Sequence, residues 1–241
     1  THDQSSAASD VYKRQISLSE YVEKMPEKQK DIYYISAETK DQALASPHLE
    51  GFKSKKIPVL IMRDAIDQFW LPMVGSFKEK KFTSITQGQI NLDDLDEKNK
   101  DKKKDDKNEK EKKDKEYVDL VAQLKVVLGD QVKDIRLSSK LTDSPVCLVA
   151  DEGDMDIAME QLMAQRDTNY KGAPRILEIN GDHSLIKNMK SLLSKKENND
   201  LVSDAGTLLF EQARLMEGKM PADPAQFSKI MNQFLLKAIP N

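Results

Sequence analysis

From position 16 to 92 the apolar and polar residues fall into short blocks that switch between a helical and a strand period. "SLSEYVEKM" opens on Ser17 and carries Glu20 three residues on, the spacing at which a serine and a glutamate satisfy helix-end N–H groups. Pro26 stops that helix. "DIYYIS" is a compact β-prone run. "TKDQALA" returns to helical composition, and Ser46-Pro47 breaks it. "KIPVLIM" predicts a second strand, "DAIDQFWLPMV" a helix capped by Asp64 and interrupted near Pro72, and "KKFTSIT" a third strand. This alternation predicts a small α/β layer with parallel pairing.

A second mixed layer follows. "YVDLVAQLKVVLG" reads as a helix ending at Gly129. "QVKDIRLS" alternates, with one slip in register. "PVCLVAD" is a continuous apolar run and predicts a central strand. "GDMDIAMEQLMAQR" predicts a short helix, "PRILEIN" a strand that alternates Ile176 and Glu178 against Leu177 and Ile179, and "HSLIKNMKSLLSKK" an amphipathic helix.

The tail is helical throughout. "NDLVSDAGTLLFEQARLMEGK" predicts a long helix ending at Gly218, with Leu201, Val202, Ala205, Leu208, Leu209 and Leu215 among its apolar positions. In the last segment Asp223 is a cap and Pro224 sits at the first helical position. Phe227, Ile230, Met231, Phe234, Leu235 and Ala238 then fall on one stripe. A two-helix hairpin cannot cover both of its faces alone. Each large side chain left wet forgoes roughly 1.5–3 kcal/mol. Either the rest of the chain covers the stripe, or a second copy completes a four-helix bundle.

Charge changes this picture at one place. Residues 93–116 hold 21 charged side chains in 24, 10 positive and 11 negative, with Leu95 the single apolar residue. Such a stretch buries too little to offset its ordering entropy and predicts a solvated linker, about 93–115, between the modules 16–92 and 116–241. The whole chain of 241 residues carries a net charge of −3, so a dedicated nucleic-acid binder is not favoured. No run approaches the roughly 20 apolar residues that span a bilayer. Residues 1–15 have no hydrophobic period and are expected to be a leader outside the fold. Cys147 is the single cysteine, which excludes an intramolecular disulfide and fits a reducing, cytoplasmic setting.

Candidate chemistry is sparse. His2, His48 and His183 are scattered and form no metal-ligand spacing. The nine glycines are never closer than nine residues, Gly172 to Gly181, so no glycine-rich phosphate loop exists. Cys147 lies in an apolar strand and is expected to be inert core. What stands out instead is Met155, Met159 and Met163, repeated at spacings of four and joined by Leu162 on the same side, while Ile157 points elsewhere. Two readings are open: a core face, or a soft surface for partners of varied shape.

The wording of several segments decides further. "SLSEYVEKMPEKQKDIYYISAETKDQALASPHLEGFKSKKIPVLIM" resembles the latter part of the middle domain of the heat-shock protein 90 chaperones. "SSKLTDSPVCLVADEGDMD", "APRILEIN" and the last two helices resemble the C-terminal dimerisation domain of the bacterial HtpG type. The resemblance implies a fragment of an ATP-dependent chaperone whose ATPase domain, with its ATP and magnesium, is absent from this chain, and which is therefore not itself an enzyme. It implies two small α/β modules (mixed α/β, or α+β) and a tail hairpin that forms a four-helix-bundle homodimer interface through Leu201, Leu208, Leu209, Leu215, Phe227, Ile230, Met231, Phe234 and Leu235. It implies that unfolded client proteins dock on Met155, Met159, Leu162, Met163, Phe69 and Trp70, with no nucleic acid, membrane or cofactor involved in this chain. The ending "KAIPN" lacks the acidic tail of cytosolic eukaryotic members, which favours a bacterial source. A purely structural dimerisation arm and a small α/β enzyme are the alternatives.

Overall fold

A computed structural model describes residues 16–92, 112–167, 170, 172–194 and 199–239. The expected leader and most of the charged linker lie outside them. The chain forms two compact units that interleave in sequence. The first holds residues 16–92 with Ser139–Thr142 and Val149–Ala173; the second holds residues 112–138, Asp143–Leu148 and the chain from Pro174 on. The linear division at the charged stretch would have assigned both inserted segments to the second module.

In the first unit, α1 (Leu18–Glu23) begins as its sequence predicts, with Ser17 Oγ accepting the Glu20 N–H at 3.2 Å. Strand β1 (Ile32–Ser36) lies between β2 (Leu60–Met62) and β4 (Lys80–Ser84), parallel to both, and β3 (Ser76–Phe77) pairs antiparallel with β4 at the edge. The chain leaves β1 through α2 (Lys40–Ala45) and α3 (Glu50–Ser54), and leaves β2 through α4 (Asp67–Val74). β2 and β4 flank β1 on opposite sides, so right-handed crossovers place these helices on opposite faces. Tyr33, Ile35 and Ile61 accordingly pack with Leu49 and Phe52, whereas Ile32, Tyr34, Leu60 and Met62 pack with Tyr21 and Leu71. The Tyr21 hydroxyl ties the second face together: it donates to Pro58 O at 2.7 Å and accepts from Gln29 Nε2 at 2.9 Å.

α4 starts two residues later than predicted, with Ile66 and not Asp64 at the cap position. Asp64 stays outside the helix, and its own N–H donates to the Asp67 carboxylate at 3.2 Å. Pro72 does not end α4, because it removes one backbone donor near the end of a helix that closes at Gly75, whose φ of +67° suits a residue without a side chain.

The segment Ser139–Thr142 is stitched into this unit. Lys140 is fully buried and donates from Nζ to Ile85 O at 2.9 Å, Ser139 Oγ donates to Ile90 O at 2.9 Å, and the Thr142 N–H donates to Glu50 Oε2 at 2.8 Å. Gly51 permits the approach, since a Cβ there would lie 2.6 Å from Lys140 O.

The second unit is a three-stranded sheet under helices. The order is β5 (Val132–Leu137), β7 (Arg175–Ile179), β6 (Val146–Val149), with β5 and β7 parallel. The predicted slip in β5 is a register shift between Val132 and Asp134. "PVCLVAD" is an edge strand and not the central one. The strand residues Val146–Val149 are all buried, so their continuous apolar character reflects covered faces and not a place between two strands. Leu177 and Ile179 join Leu120, Leu124 and Leu128 of α5 (Val118–Leu128), Ile186 and Met189 of α7 (Ser184–Ser194), and Val202, Leu209 and Phe210 of α8 (Asn199–Met216) in one core. At Gly206 a Cβ would meet Leu124 Cδ2 at 2.3 Å, so a hydrogen there sets how close α5 and α8 lie. α9 (Pro224–Ala238) begins at Asp223, whose Oδ1 accepts the N–H groups of Ala225 and Gln226 at 3.0 and 2.9 Å.

Candidate functional site

The methionine helix α6 (Ile157–Arg166) belongs to the first unit. Its inward face is Ile157 and Glu160, both buried. Met159, Leu162 and Met163 are half-buried, and Met155, just ahead of the helix, is 42% exposed. The branched residue therefore faces inward, and the methionine side lies between core and water. Periodicity alone shows that these residues share a face; it does not show that Glu160 is buried beneath the helix.

Asp156 fixes where α6 begins. Its Oδ1 accepts the Ala158 N–H at 2.9 Å, capping the helix. Its Oδ2 accepts from Ser84 Oγ at 2.5 Å and Thr86 Oγ1 at 2.8 Å. Nearby, the Ala150 N–H donates to Thr86 O, the Gly88 N–H to Ala150 O, and Gln87 Nε2 to Asp154 O, at 2.7–2.9 Å. The Tyr34 hydroxyl beside this carboxylate titrates well above the usual phenol range, mainly through burial and secondarily through the Asp156 charge. Burial likewise pushes Tyr33 up to about 12, with Asp31 adding to it.

On α4, Trp70 is half-buried and held at both ends. Its Nε1 donates to Asp67 Oδ1 at 2.7 Å, and its ring meets Phe82 edge-on at 5.6 Å. Phe69 is half-buried beside it. The exposed apolar residues here are ones the sequence reading passed over: Ile66, Met73 (86% exposed) and Val74. Their signal was available, since they flank the predicted Phe69–Trp70 pair. Trp70 and Asp156 reach the same strand, at Phe82 and Ser84, two positions apart on one face and so roughly 7 Å along β4.

The predicted pairing residues divide. Leu209 is part of the second unit's own core, and Ile230 is buried. Phe234 packs partly on that core, while Leu201, Leu208 and Phe227 are half-buried. Leu215, Met231 and Leu235 are exposed, and so are four apolar residues not assigned from sequence: Met216, Met220, Leu236 (76% exposed) and Ile239. Leu236 lies off the stripe, a visible but unread signal. The turn between α8 and α9 is pinned by buried charge. Glu211 accepts the Ala222 N–H on both oxygens at 3.1 Å and pairs with Arg214 Nε at 3.1 Å, while Arg214 Nη2 donates to Met220 O at 2.9 Å.

Among the described residues no group of three or more His, Cys, Asp and Glu side chains is placed to hold a metal ion, and no helix is long and apolar enough to cross a membrane. Cys147 is buried, with Sγ 3.9 Å from Glu178 Oε2; that carboxylate also receives Arg136 and Ser138. His48 is buried in the turn before α3, and His183 Nδ1 accepts the Leu185 N–H at 3.2 Å.

Known proteins share this combination of segments. The family model described as Hsp90 protein matches residues 4–240. The chain belongs to the Hsp90 family. Among the similar proteins are those named Chaperone protein HtpG from Roseobacter denitrificans, 41% identical over 225 residues, and Wolbachia pipientis wMel, 37% identical over 230 residues, each alignment covering 92% of this chain. The one from Streptomyces coelicolor is 35% identical over 215 residues, or 89% of the chain. These alignments take in 36%, 34% and 33% of the respective relatives, so the chain spans about a third of their length. In this Hsp90 chain the mixed α/β reading holds, as two small sheets and a pair of C-terminal helices.

Proposed function

We propose that this chain is the client-holding and self-pairing part of an HtpG-type chaperone. The observation that carries the reading is the tail: Leu215, Met216, Met231, Leu235 and Leu236 stay exposed on two successive helices of an Hsp90-family chain. Apolar surface of that kind gains about 25 cal/mol per Å² when covered, and a two-fold pairing covers it twice. Pairing of two hairpins makes a four-helix bundle. Clients then dock on Met155, Met159, Leu162, Met163 and on Phe69 with Trp70. Unbranched thioether side chains re-pack against partners of different shape at little cost, which suits unfolded chains without a common sequence.

ATP and magnesium belong to the full-length family, and the residues here do not fit them. The carboxyl ends of β1 and β4 are where an α/β layer receives a phosphate. That place holds the Asp156 carboxylate, which takes the Ser84 and Thr86 hydroxyls and would repel an anion. On this reading the chain's part is to hold clients. Bacterial cytoplasm is the proposed setting.

Sedimentation equilibrium tests the pairing. A mass near twice 27.4 kDa is expected, and a monomer at tens of micromolar would end the reading. Suppression of aggregation of a reduced, unfolding protein tests the client surface.

A further inference from the structure

Asp156 anchors the start of the methionine helix to the sheet, and it does two separable things. One oxygen of Asp156 caps α6; the other receives two hydroxyls from the end of β4. Ser84 and Thr86 are both buried, and their hydroxyl oxygens lie 2.8 Å apart, so neither is a surface group satisfied by water. A cap needs only the first oxygen. The second fixes the helix to a strand whose register with β1 is itself set by the pairing of Ser84 with Tyr34. Near the other end of α6, Gln165 reaches Glu38 at 3.4 Å on the exposed surface, a weak contact by comparison.

We propose that Asp156, through Ser84 and Thr86, is a positioning residue that holds the methionine face of α6 at a fixed place on the first unit and so sets its affinity for clients. The proposal rests on the client reading above. Bonds from hydroxyls to a carboxylate are among the stronger hydrogen bonds, and their loss frees the helix start without removing any apolar contact a client would make. A held helix spares the client the ordering entropy of a loose one.

The paired substitution Ser84→Ala with Thr86→Val separates the two roles, because it keeps the cap and removes the tie. Amide exchange across residues 159–166 should accelerate roughly tenfold, while β1 and β7 keep their protection. Affinity for reduced, carboxymethylated α-lactalbumin, a permanently unfolded protein, should fall about fivefold to tenfold. Asp156→Ala should do the same and also fray the first helical turn; Thr86→Ser, which keeps the hydroxyl, should leave exchange and affinity near the parental values. Unchanged exchange in α6 overturns the proposal. So does exchange that rises equally in β1, which would mark general destabilisation, and so does a loosened helix that binds as the parent does. Serine at Met155, Met159 and Met163 together is the control: parental affinity in that variant would sink the client reading itself, and the proposal with it.

Discussion

The helices α6 and α9 each carry an apolar stripe, and the two stripes meet their own chain differently. In α6 the residues that face inward, Ile157 and Glu160, lie off the stripe, and the stripe itself rides half-covered at the edge of the unit. In α9 the single buried residue, Ile230, lies on the stripe, and most of the remainder is open. The side chains differ as well. The stripe of α6 is methionine and leucine on a helix held by a carboxylate tie; that of α9 is Phe, Ile, Met and Leu on a helix whose turn is pinned by Glu211 and Arg214. Flexible thioethers on a held helix suit partners that vary. A wider apolar face presented at a fixed angle suits one partner that does not.

The largest effect that would break this comparison is at α9. Met231→Glu with Leu235→Glu should convert a dimer to a monomer, weakening pairing at least a hundredfold, because both side chains are exposed in the single chain. Light scattering measures it, and a folded dimer in the double variant would refute the pairing face. Next comes packing. Gly51→Ala presses a methyl against backbone at Lys140 and should cost about 3 kcal/mol, whereas Gly206→Ala presses on the end of the Leu124 side chain and should cost about 1–2 kcal/mol. Urea midpoints rank the two, and the reverse order would contradict the close approach at Lys140. The triple Met→Ser change in and before α6 should weaken client binding about tenfold and leave the dimer mass unaltered. If both stripes serve pairing, the mass will change too.

The smallest effect is at Glu217. Burial holds its carboxyl above the ordinary value, against the opposing pull of Lys219, Arg175 and Arg214. The native state then binds a proton that the unfolded chain has already released, so stability falls as pH rises through the native value. Glu217→Gln should flatten that slope and raise stability near pH 7, measured as urea midpoints across mildly acidic to neutral pH. An unchanged slope would assign it to another group.

Much of the fold was legible because local signals agreed with tertiary ones. Ser17, Gly129 and the Asp223-Pro224 pair end or begin helices where their chemistry requires it. The hairpin of β3 and β4 was not legible. It turns at Lys78 and Glu79 with φ of 47° and 62°, a conformation that Asn and Gly signal and these residues do not. At the candidate surfaces, spacing put the three methionines on one side, but the burial of Glu160 and the tie from Asp156 to residues some 70 positions earlier in the chain have no local signature. The tail stripe was readable as a stripe; that the chain itself covers Ile230 and leaves Leu236 open depends on packing against distant residues.

Lys140 carries a consequence for anyone who divides this protein. Separating the chain into two pieces at residues 93–111 would part the ammonium from the carbonyl of Ile85 and Asp156 from its two hydroxyls. A piece begun after that break would therefore carry an amine and a carboxylate shaped for burial with nothing to receive them. The same two halves, cut but not separated, should stay together and elute as one species until denaturant is added.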